Sequence, residues 1–382
     1  MSQKILLLGA GEMQVPLILK AKESGLFTIV ADYNPDAPGF KYADVGSFSS
    51  TTDENAILEL AKKEKIDGIA TSSDFPVRIV SSVCYKLGLK GVPQNAASIC
   101  TNKHLQREIF QKNNLPSPKY FLLRDQQNAM NVPEDFLFPC IVKPVDSSAS
   151  RGVRRIDDRK LLQEAIDFAR QNSRSGMVLV EEYVTGPEFS VESLTQDGVT
   201  NVIAVTEKTT SGHADEFFVE ERHVIPAGIS KNDENGIKEL VPKALKAVGV
   251  DNAASHVELK LTTRGPVLIE MACRLGGDYI TSDLVPLATG VNMLENVLKI
   301  ALNEKIDITK KSNMHSGIRF LTPENYKQAC IKIDKIKKTP ELVRSEIQPC
   351  PEGLQLKSSL DRLGYWICST NNRDHLIELL SY

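Results

Sequence analysis

The sequence lacks the residue patterns that mark zinc proteins, disulfide-stapled proteins and membrane proteins. Its seven cysteines are scattered, with no Cys-x-x-Cys pair and no histidine cluster at metal-ligand spacing. We therefore expect reduced cysteines in the core of a cytoplasmic protein. No apolar run reaches the length of a transmembrane helix, and Gly11, Glu12 and Gln14 interrupt the first apolar run too early for a signal peptide.

An excess of charge of either sign is also absent. The 46 basic and 49 acidic residues give a formal net charge of −3, which favours neither nucleic acid nor an anionic membrane as a partner. Small molecules are therefore the expected partners. The 382 residues, 41% of them hydrophobic and 25% charged, predict a soluble globular protein with two or three packed domains.

Residues 4–100 alternate short apolar segments with helical patterns, which is typical of a parallel sheet with crossover helices. We predict strands at Lys4–Leu8, Phe27–Ala31 and Gly68–Thr71. Asp74 follows the third strand, at the end of the sheet where open α/β folds bind ligands.

The turn after the first strand allows a second interpretation. Gly9 and Gly11 after one strand and Asp32 after the next are typical of a dinucleotide-binding fold, but Gln14 stands where the fingerprint needs a third small residue. The turn is then either a set of free backbone N–H groups that hold part of a substrate or a purely structural turn.

Two glutamates lie in apolar segments that predict neighbouring buried strands. Glu258 belongs to the segment Ala254–Leu261 and Glu270 to Val267–Cys273, with a hairpin turn predicted at residues 262–266. Two adjacent carboxylates in such a setting are costly unless they share a cation. The pair is therefore a candidate Mg²⁺ site. The alternative is that both side chains point outward as ordinary surface carboxylates.

A lysine and a loop of small residues form a candidate phosphate site. Lys143 ends a short apolar segment and is followed by Pro144 and the polar loop 146–152. Small residues let backbone N–H groups approach an anion closely, and the lysine adds a positive charge. A solvated turn explains the loop alone, but not a lysine held at the end of an apolar strand.

The segment Met177–Val184 predicts a strand that runs into a Gly-Pro turn at residues 186–187. Backbone groups left unpaired at this turn can read the edge of a purine. Glu188, just past the turn, is a candidate to accept hydrogen bonds from two ribose hydroxyls. The alternative is a carboxylate on the rim of an amphipathic strand.

The order of these segments resembles the ATP-grasp superfamily, and most closely its carbamoyl-phosphate-synthase-like and L-amino-acid-ligase branch. The resemblance covers roughly residues 4–300. It rests on Lys103, Lys143-Pro, the small-residue loop, Glu-Glu-x-Val, Gly-x-Glu, His-x-Glu and Ile-Glu-x-x-x-Arg. The amino-acid-ligase character rests on His-Val-Glu-Leu-Lys at 256–260, Arg-Leu-Gly-Gly at 274–277, and the segment 34–39.

The resemblance implies a fold of mixed α/β and α+β class in three parts. Residues 1–100 would form a parallel-sheet pre-ATP-grasp domain. Residues 101–302 would form an ATP-grasp domain of two α+β subdomains, with a lid at 116–183, and residues 303–382 a small β-rich C-terminal domain. A homodimer through the N-terminal domain is common among such proteins.

The resemblance also implies which residues hold MgATP. The phosphates would contact Lys103, Lys143 and a lid loop that contains Ser147, Ser148, Ser150 and Gly152. Adenine would face Glu181, Glu182 and Val184, ribose would face Glu188, and Mg²⁺, with Mn²⁺ as an alternative, would bind Glu258 and Glu270. The catalytic cations would be Arg274, on the transferring phosphoryl group, and Lys208, on the γ-phosphate or the substrate carboxylate.

Such enzymes phosphorylate a carboxylate with ATP and let an amine attack the acyl phosphate, which gives ADP and phosphate. We therefore expect an ATP-dependent carboxylate–amine ligase that acts on an amino acid or a similar small carboxylate. One alternative is a purine-pathway or carboxyphosphate-type enzyme that activates formate or bicarbonate. The other is a non-catalytic ATP-binding sensor, because Ala272 stands where the family has an asparagine that completes a metal site.

Residues 209–223 lie between two strand patterns, in the region that helps to select the substrate in amino-acid ligases. His213, Glu216 and His223 are hypotheses for substrate contacts, although a lone histidine in a polar loop is more often solvated. Arg319, on a predicted strand near the C-terminus, would either pair with a substrate carboxylate or form a structural ion pair.

Overall fold

A computed structural model of the chain describes residues 2–148, 150–211, 218–356 and 358–382. Over these ranges the strands form three sheets: a four-stranded N-terminal sheet, a four-stranded small sheet and an eight-stranded large sheet. The expected combination of a parallel N-terminal sheet with antiparallel α+β parts is confirmed. No helix in the described ranges has the length and apolar character needed to cross a membrane.

The N-terminal sheet is entirely parallel, in the order β3-β2-β1-β4. Its strands are β1 Lys4–Leu8, β2 Phe27–Ala31, β3 Val45–Ser47 and β4 Gly68–Ala70. β1, β2 and β4 are almost wholly buried, which is why they stand out in the sequence as continuous apolar runs. β3 is short and largely half-exposed, so no apolar run indicates it.

The helices that precede the small sheet are α1 Val15–Glu23, α2 Glu54–Glu64, α3 Val77–Leu87, α4 Gln94–Cys100 and α5 Lys103–Lys112. Side-chain caps fix two of the starts. Asp53 caps α2, and Asn102 caps α5 by accepting hydrogen bonds from the backbone N–H groups of His104 and Leu105. The second cap fixes Lys103 in the first turn of α5.

The glycine turn after β1 is bonded to other parts of the protein at Gly9 and Ala10. The N–H of Ala10 donates to Asp32 Oδ2 at 2.7 Å, and the carbonyl of Ala10 accepts from Gly39 N at the same distance. A Cβ on Gly39 would lie 2.6 Å from Ile18 Cδ1, so the turn is packed against α1. These bonds favour the structural turn over a substrate cradle.

The small sheet is antiparallel, in the order β5-β8-β6-β7. Its strands are β5 Tyr120–Leu123, β6 Cys140–Pro144, β7 Arg154–Ile156 and β8 Val178–Glu182. Helix α6, Leu162–Gln171, covers one face with buried side chains that include Ile166 and Ala169. Lys143 lies near the carboxyl end of β6, beside the loop 146–152, as the sequence predicts.

The large sheet is also antiparallel, in the order β13-β12-β9-β10-β11-β14-β16-β15. Its strands are β9 Glu188–Gln196, β10 Val199–Thr210, β11 Glu220–Ile225, β12 Ala253–Thr262, β13 Gly265–Ala272, β14 His315–Phe320, β15 Leu342–Ile347 and β16 Gly364–Thr370. Its helices are α7 Lys231–Val248, α8 Val285–Thr289, α9 Met293–Ala301, α10 Tyr326–Ile336 and α11 Arg373–Leu379.

The C-terminal strands continue the large sheet. β14 pairs with β11 from Ile225 opposite Ser316 to Arg222 opposite Arg319, so β14, β15 and β16 share a sheet with the strands before them. The expectation of a β-rich C-terminal segment is met, but that segment has no separate sheet within the described ranges. The division of the chain into three domains stays a prediction.

Shorter helical turns connect these elements. Turns of 3₁₀ type span Glu12–Gln14, Pro38–Tyr42, Ala129–Asn131, Arg159–Leu161 and Ser359–Asp361, and a π-helical turn spans Ile280–Leu284. The π-helical turn follows Asp278 and Tyr279, both of which have positive φ angles, 51° and 61°. Such conformations are uncommon for non-glycine residues and cluster at functional sites.

The β12–β13 hairpin gives the register on which the predicted metal site depends. Glu258 lies directly opposite Glu270, and His256 lies directly opposite Ala272. Because side chains of opposed residues project on the same face of a sheet, both glutamates face the same space. A bulge after Glu258 shifts the pairing toward the turn.

The cysteines are free, and the prediction that they lie in the core is only partly right. Cys84, Cys100, Cys140, Cys273 and Cys368 are buried. Cys330 is half-buried and Cys350 is exposed, so the core prediction is wrong for Cys350. Its segment, between β15 and β16, contains two prolines and carries little apolar surface to bury.

Candidate functional site

A cavity of about 300 Å³ lies between the small sheet and the large sheet. Thirteen of the fourteen predicted site residues line it: Lys103, Lys143, Ser147, Ser148, Ser150, Glu181, Glu182, Val184, Glu188, Lys208, Glu258, Glu270 and Arg274. Gly152 does not line the cavity. Its φ is +76° and a Cβ there would lie 2.6 Å from Asn172 Cβ, so this glycine is required by backbone conformation and close packing.

Lys103 connects the start of α5 to the hairpin and to the small-residue loop. Its Nζ lies 2.8 Å from Glu270 Oε1 and donates to the carbonyl of Ser147 at 2.6 Å. The side chain is only 8% exposed. The ammonium group is therefore held between a loop of small residues and a carboxylate, where an oligophosphate would meet it.

Three charged side chains form what we call the closed cluster: Arg107, Lys143 and Glu181. Glu181 Oε1 lies 2.8 Å from Arg107 Nε, and Oε2 lies 2.7 Å from Lys143 Nζ. Arg107 also donates to the carbonyl of Ile269 at 2.6 Å. Burial raises the pKa of Glu181, but its two cationic neighbours outweigh this and hold it below the ordinary value.

The closed cluster argues against the expected contact between Glu181 and adenine. The Glu181 carboxylate is committed to Arg107 and Lys143, so it is not free to bond a nucleobase. Glu182, the next residue of β8, accepts a hydrogen bond from the N–H of Lys119 at 3.2 Å. Successive residues of a strand project to opposite faces, which explains why the two glutamates have different partners.

Glu258 and Glu270, which we call the carboxylate pair, are more open. Their side chains are 24% and 31% exposed. Glu258 Oε1 accepts from Lys208 Nζ at 2.7 Å and lies 3.5 Å from His256 Nε2. Burial raises the pKa of Glu258, but the two cations outweigh it and place the pKa well below its usual range.

Lys208 is shared by three carboxylates. Besides Glu258, its Nζ lies 3.1 Å from Glu188 Oε1 and 3.5 Å from Glu220 Oε1. Burial lowers the pKa of Lys208, but the three anions reverse this and raise it well above the ordinary value. Lys208 is therefore a fixed positive charge at the middle of the cavity.

The donor set of the carboxylate pair fits a hard divalent cation. Carboxylate oxygens are preferred Mg²⁺ ligands, and this ion keeps several sites for water and phosphate. In the described part of the chain, no three His, Cys, Asp or Glu side chains converge as a metal site would require. Mg²⁺ would therefore be held by Glu258 and Glu270 together with phosphate oxygens, since the methyl group of Ala272 offers no ligand.

A buried histidine adds a second fixed charge. His256 Nδ1 lies 2.6 Å from Glu192 Oε1, and Glu192 is fully buried. Burial lowers the pKa of His256, but Glu192 and Glu258 raise it to about 9. A Cβ on Gly276 would lie 2.7 Å from Glu192 Oε2, so the glycine leaves room for this pair.

Arg274 is oriented by the N-terminal sheet. Its Nε and Nη2 donate to Asp74 Oδ1 and Oδ2 at 2.7 and 3.0 Å, a bidentate pair, and its Nη1 donates to the carbonyl of Leu275 at 2.8 Å. Burial raises the pKa of Asp74, but Arg274 reverses this and lowers it. The acidic residue that follows β4 therefore positions the predicted catalytic arginine.

Asp278 and His223 line the far end of the cavity, and Arg362 contacts Asp278. Arg362 donates from both Nη atoms to the Asp278 carboxylate at 2.6 and 2.7 Å, and His223 Nε2 lies 3.4 Å from Asp278 Oδ2. His223 lies in β11 and is 1% exposed, so its prediction as a loop residue is wrong, although it does line the cavity. His213 and Glu216 lie outside the described residues.

Of the two roles expected for Arg319, the structure favours a structural ion pair over a contact with substrate. Its Nη2 lies 3.1 Å from Glu221 Oε2, and its Nε donates to the hydroxyl of Tyr382 at 2.9 Å. Both partners are protein groups on the outside of the large sheet. This arginine therefore ties β14 to β11 and to the C-terminal residue.

Several site residues escaped the sequence reasoning. Arg107 had a weak signal, because it lies four residues after Lys103 on the same buried face of α5. Glu192 had the same kind of signal, since it lies four residues after Glu188 on one face of β9. Asp278 and Arg362 had none, because 84 residues separate them along the chain.

Sequence comparison agrees with this geometry. Residues 136–283 match the family profile described as the ATP-grasp domain. Residues 136–283 are an ATP-grasp domain by this match. The matched range includes three of the four strands of the small sheet, the β12–β13 hairpin and Arg274, so the resemblance drawn from the motifs is confirmed.

Two relatives and one solved structure extend the comparison. The chain is 29% identical over 269 residues to a formate-dependent phosphoribosylglycinamide formyltransferase of Saccharolobus solfataricus, covering 65% of each chain. It is 26% identical over 280 residues to the alanine–anticapsin ligase of Bacillus subtilis, covering 67% of this chain and 58% of that protein. The chain thus spans less than two thirds of the length of either relative.

The similarity to a solved structure covers nearly the whole fold. An L-amino acid ligase from Bacillus licheniformis superimposes with a TM-score of 0.82 at 21% identity, over 99% of this chain and 97% of that one. Identity at this level shows a common fold. The N-terminal and C-terminal parts outside residues 136–283 are therefore shared in architecture as well.

Proposed function

We propose that the protein is an ATP-dependent carboxylate–amine ligase that works through an acyl phosphate. The observation that carries the proposal is one cavity that holds the carboxylate pair, two phosphate-facing lysines and a preoriented arginine, with a second polar region beyond them. Such an arrangement suits phosphoryl transfer, because that chemistry is catalysed mainly by positioning and charge stabilisation.

MgATP would enter between the two sheets. Lys103 would contact the phosphates, and Lys143 would do so through the ammonium donors that Glu181 does not use. Glu258 and Glu270 would hold Mg²⁺ against these phosphates. The metal supplies charge neutralisation of the phosphoryl oxygens. Lys103 contacts Glu270, and Lys208 contacts Glu258. The two lysines and the Mg²⁺ ion would therefore surround a bound triphosphate.

Arg274 is suited to the transferring phosphoryl group. A guanidinium has five N–H donors, and three N–H groups of Arg274 donate to Asp74 and to the carbonyl of Leu275. The remaining N–H groups would be available to an anion in the cavity. The Asp74 contact also fixes the plane of the guanidinium before substrate arrives, which lowers the entropy cost of using it.

The chemistry balances without a protein nucleophile. A carboxylate oxygen of the first substrate attacks the γ-phosphorus of ATP, the bond to the bridging oxygen breaks, and ADP leaves. An amine then attacks the acyl carbon, phosphate leaves with its pair of electrons, and the ammonium proton passes to solvent or to the departing phosphate. The products are an amide, ADP and phosphate.

The far end of the cavity supports a small polar substrate. Asp278 and His223 line this end, so a carboxylate and an imidazole are offered to the ammonium and carboxylate groups of such a molecule. Within the described residues, the buried Nδ1 of His223 has no hydrogen-bond partner, and a bound polar group would satisfy it. The similarity to an alanine–anticapsin ligase supports an amino acid as one substrate.

Two other functions remain as candidates. The formyltransferase relative supports activation of formate, a small carboxylate that would use the same phosphate and metal sites. A non-catalytic ATP-binding sensor is supported by Ala272, which removes a potential metal ligand. All three candidates need ATP, so the substrate-dependent step distinguishes them.

The proposal is tested by ADP release with Mg²⁺ and three sets of added substrates: a mixture of amino acids, formate, and bicarbonate. We expect the amino acids to stimulate release and Glu270→Ala to abolish the stimulation. Glu239→Ala is the matched control, since that glutamate on α7 has a side chain 74% exposed and lies away from the cavity. Stimulation by formate alone would favour the second candidate, and tight ATP binding without stimulated release would favour the sensor.

A further inference from the structure

The outermost strand of the large sheet has an open edge. β15 pairs with β16 on one side and, among the residues that the structure describes, with no strand on the other. Five of its six residues are exposed, including the apolar side chains Val343 and Ile347 at 46% and 43%. Open edges present unpaired N–H and C=O groups that can add another strand.

The register shows which backbone groups face outward. The N–H of Gln348 donates to the carbonyl of Leu363 at 2.8 Å, and the carbonyl of Glu346 points at Gly364, where a Cβ would lie 2.1 Å from its oxygen. Residues two apart in a strand direct their backbone groups to the same side. The N–H and C=O groups of Ser345 and Ile347 therefore point away from β16.

The sequence of this edge is complementary to itself. Residues 343–347 read Val-Arg-Ser-Glu-Ile. In an antiparallel pair of two such strands centred on Ser345, Arg344 lies opposite Glu346, and this contact occurs twice. A bulge between Leu342 and Arg344 takes Val343 out of the regular register. Opposite charges at opposed positions stabilise such pairs.

The side chains are placed for this pairing before a partner arrives. The Arg344 guanidinium is 43% exposed, lies 3.3 Å from Asp283 and stacks 4.7 Å from the centroid of the Tyr279 ring. Glu346 accepts a hydrogen bond from the side chain of Gln348 at 3.2 Å. Arg344 and Glu346 are two residues apart, so both side chains project from the same face of β15.

We propose that β15 is a homodimer interface, in which a second copy of the chain adds its own β15 antiparallel about a two-fold axis at Ser345. The two large sheets then form one continuous sheet across the dimer. A C2 contact must present the same patch on both partners, and Arg344 and Glu346 satisfy that condition on each copy. Because one short strand buries little area, the dimer is weak and concentration-dependent.

The test is sedimentation velocity of the full chain over about two decades of micromolar concentration, with charge variants at the interface. Glu346→Arg places arginine opposite Arg344, and Arg344→Glu places glutamate opposite Glu346. Each variant alone should weaken self-association by about tenfold or more, since two attractive pairs become repulsive. An equimolar mixture of the two should associate again, because both charge pairs are then complementary.

A backbone variant distinguishes strand pairing from a general charge effect. Ser345→Pro removes an outward N–H, and proline is tolerated on the free side of an edge strand. We expect this variant to be monomeric with an unchanged circular dichroism spectrum. A monomeric wild-type chain over the whole range, or a dimer that survives all three variants, would overturn the proposal.

Discussion

The closed cluster and the carboxylate pair both contain glutamates in contact with buried lysines, yet they differ in access. Arg107, Lys143 and Glu181 are at most 6% exposed and satisfy one another. Glu258 and Glu270 are 24% and 31% exposed and each shares its lysine with other groups. The difference indicates that the closed cluster fixes the relative position of α5, β6 and β8, while the carboxylate pair is available to a ligand.

The largest expected effect on stability comes from opening the closed cluster. Arg107→Leu would leave the buried carboxylate of Glu181 with one cation and would free the carbonyl of Ile269. We expect the free energy of unfolding to fall by about 3–5 kcal/mol, measured by urea denaturation. The control is Arg264→Leu, whose side chain is 82% exposed. An equal and small loss in both variants would mean that the closed cluster is not structural.

A change in the carboxylate pair should lower activity and leave stability nearly unchanged. Glu270→Gln removes a charge from the metal site but keeps the shape of the side chain, so substrate-dependent ADP release should fall by about 100-fold or more, as when a transition-state stabilising group is lost. The melting temperature should change little, because the side chain is partly solvated. Glu239→Gln serves as the control. A large loss of stability with activity retained would reverse the assignment of the two regions.

The ion pair between Asp278 and Arg362 should make the free energy of unfolding depend on pH. Burial raises the pKa of Asp278, but Arg362 outweighs this and lowers it well below the ordinary 3.8. Its contribution to stability is therefore complete above 3.8 and is lost as the pH falls through the lower folded value. Asp278→Asn suits the positive φ at this position and removes the charge.

We expect Asp278→Asn to lower the free energy of unfolding by about 1–3 kcal/mol at pH 7. The difference in the free energy of unfolding between the variant and the wild type should shrink by about 1 kcal/mol when the pH is lowered from 5 to 3, measured by urea titrations at each pH. A gap that is the same at both pH values would show that the carboxylate is not ionised in the pair.

The smallest expected effect concerns Ala272. Ala272→Asn would add an amide oxygen beside the carboxylate pair, on the strand that carries Glu270. We expect the Mg²⁺ concentration for half-maximal ADP release to fall by a factor of about 3, which corresponds to less than about 1 kcal/mol. If this Mg²⁺ concentration stays the same or rises, the metal does not reach position 272.

The two regions also differ in how far the sequence predicts them. The carboxylate pair follows from local patterns, because two apolar segments joined by a short turn fix which residues stand opposite each other. Lys143 is visible for a similar reason, as a charge that ends an apolar run. The closed cluster is only half visible: Lys143 and Glu181 lie in predicted strands, but Arg107 reaches them from a helix.

Long-range ion pairs could not be predicted, because nothing local to either partner specifies the other. Asp74 and Arg274 are 200 residues apart, and the acidic residue was expected only to lie at a ligand-binding edge. The same limit applies to the continuation of the large sheet into β14–β16. That arrangement depends on β11 offering an edge, which is a property of the assembled sheet.

The most direct test of the proposed function follows an oxygen atom. The protein is incubated with MgATP and a mixture of amino acids that carry ¹⁸O in both carboxylate oxygens, and the released phosphate is analysed by mass spectrometry. An acyl phosphate intermediate transfers one ¹⁸O from the carboxylate to phosphate, so we expect singly labelled phosphate in proportion to ADP. Unlabelled phosphate, released at a rate that the amino acids nevertheless stimulate, would contradict the account.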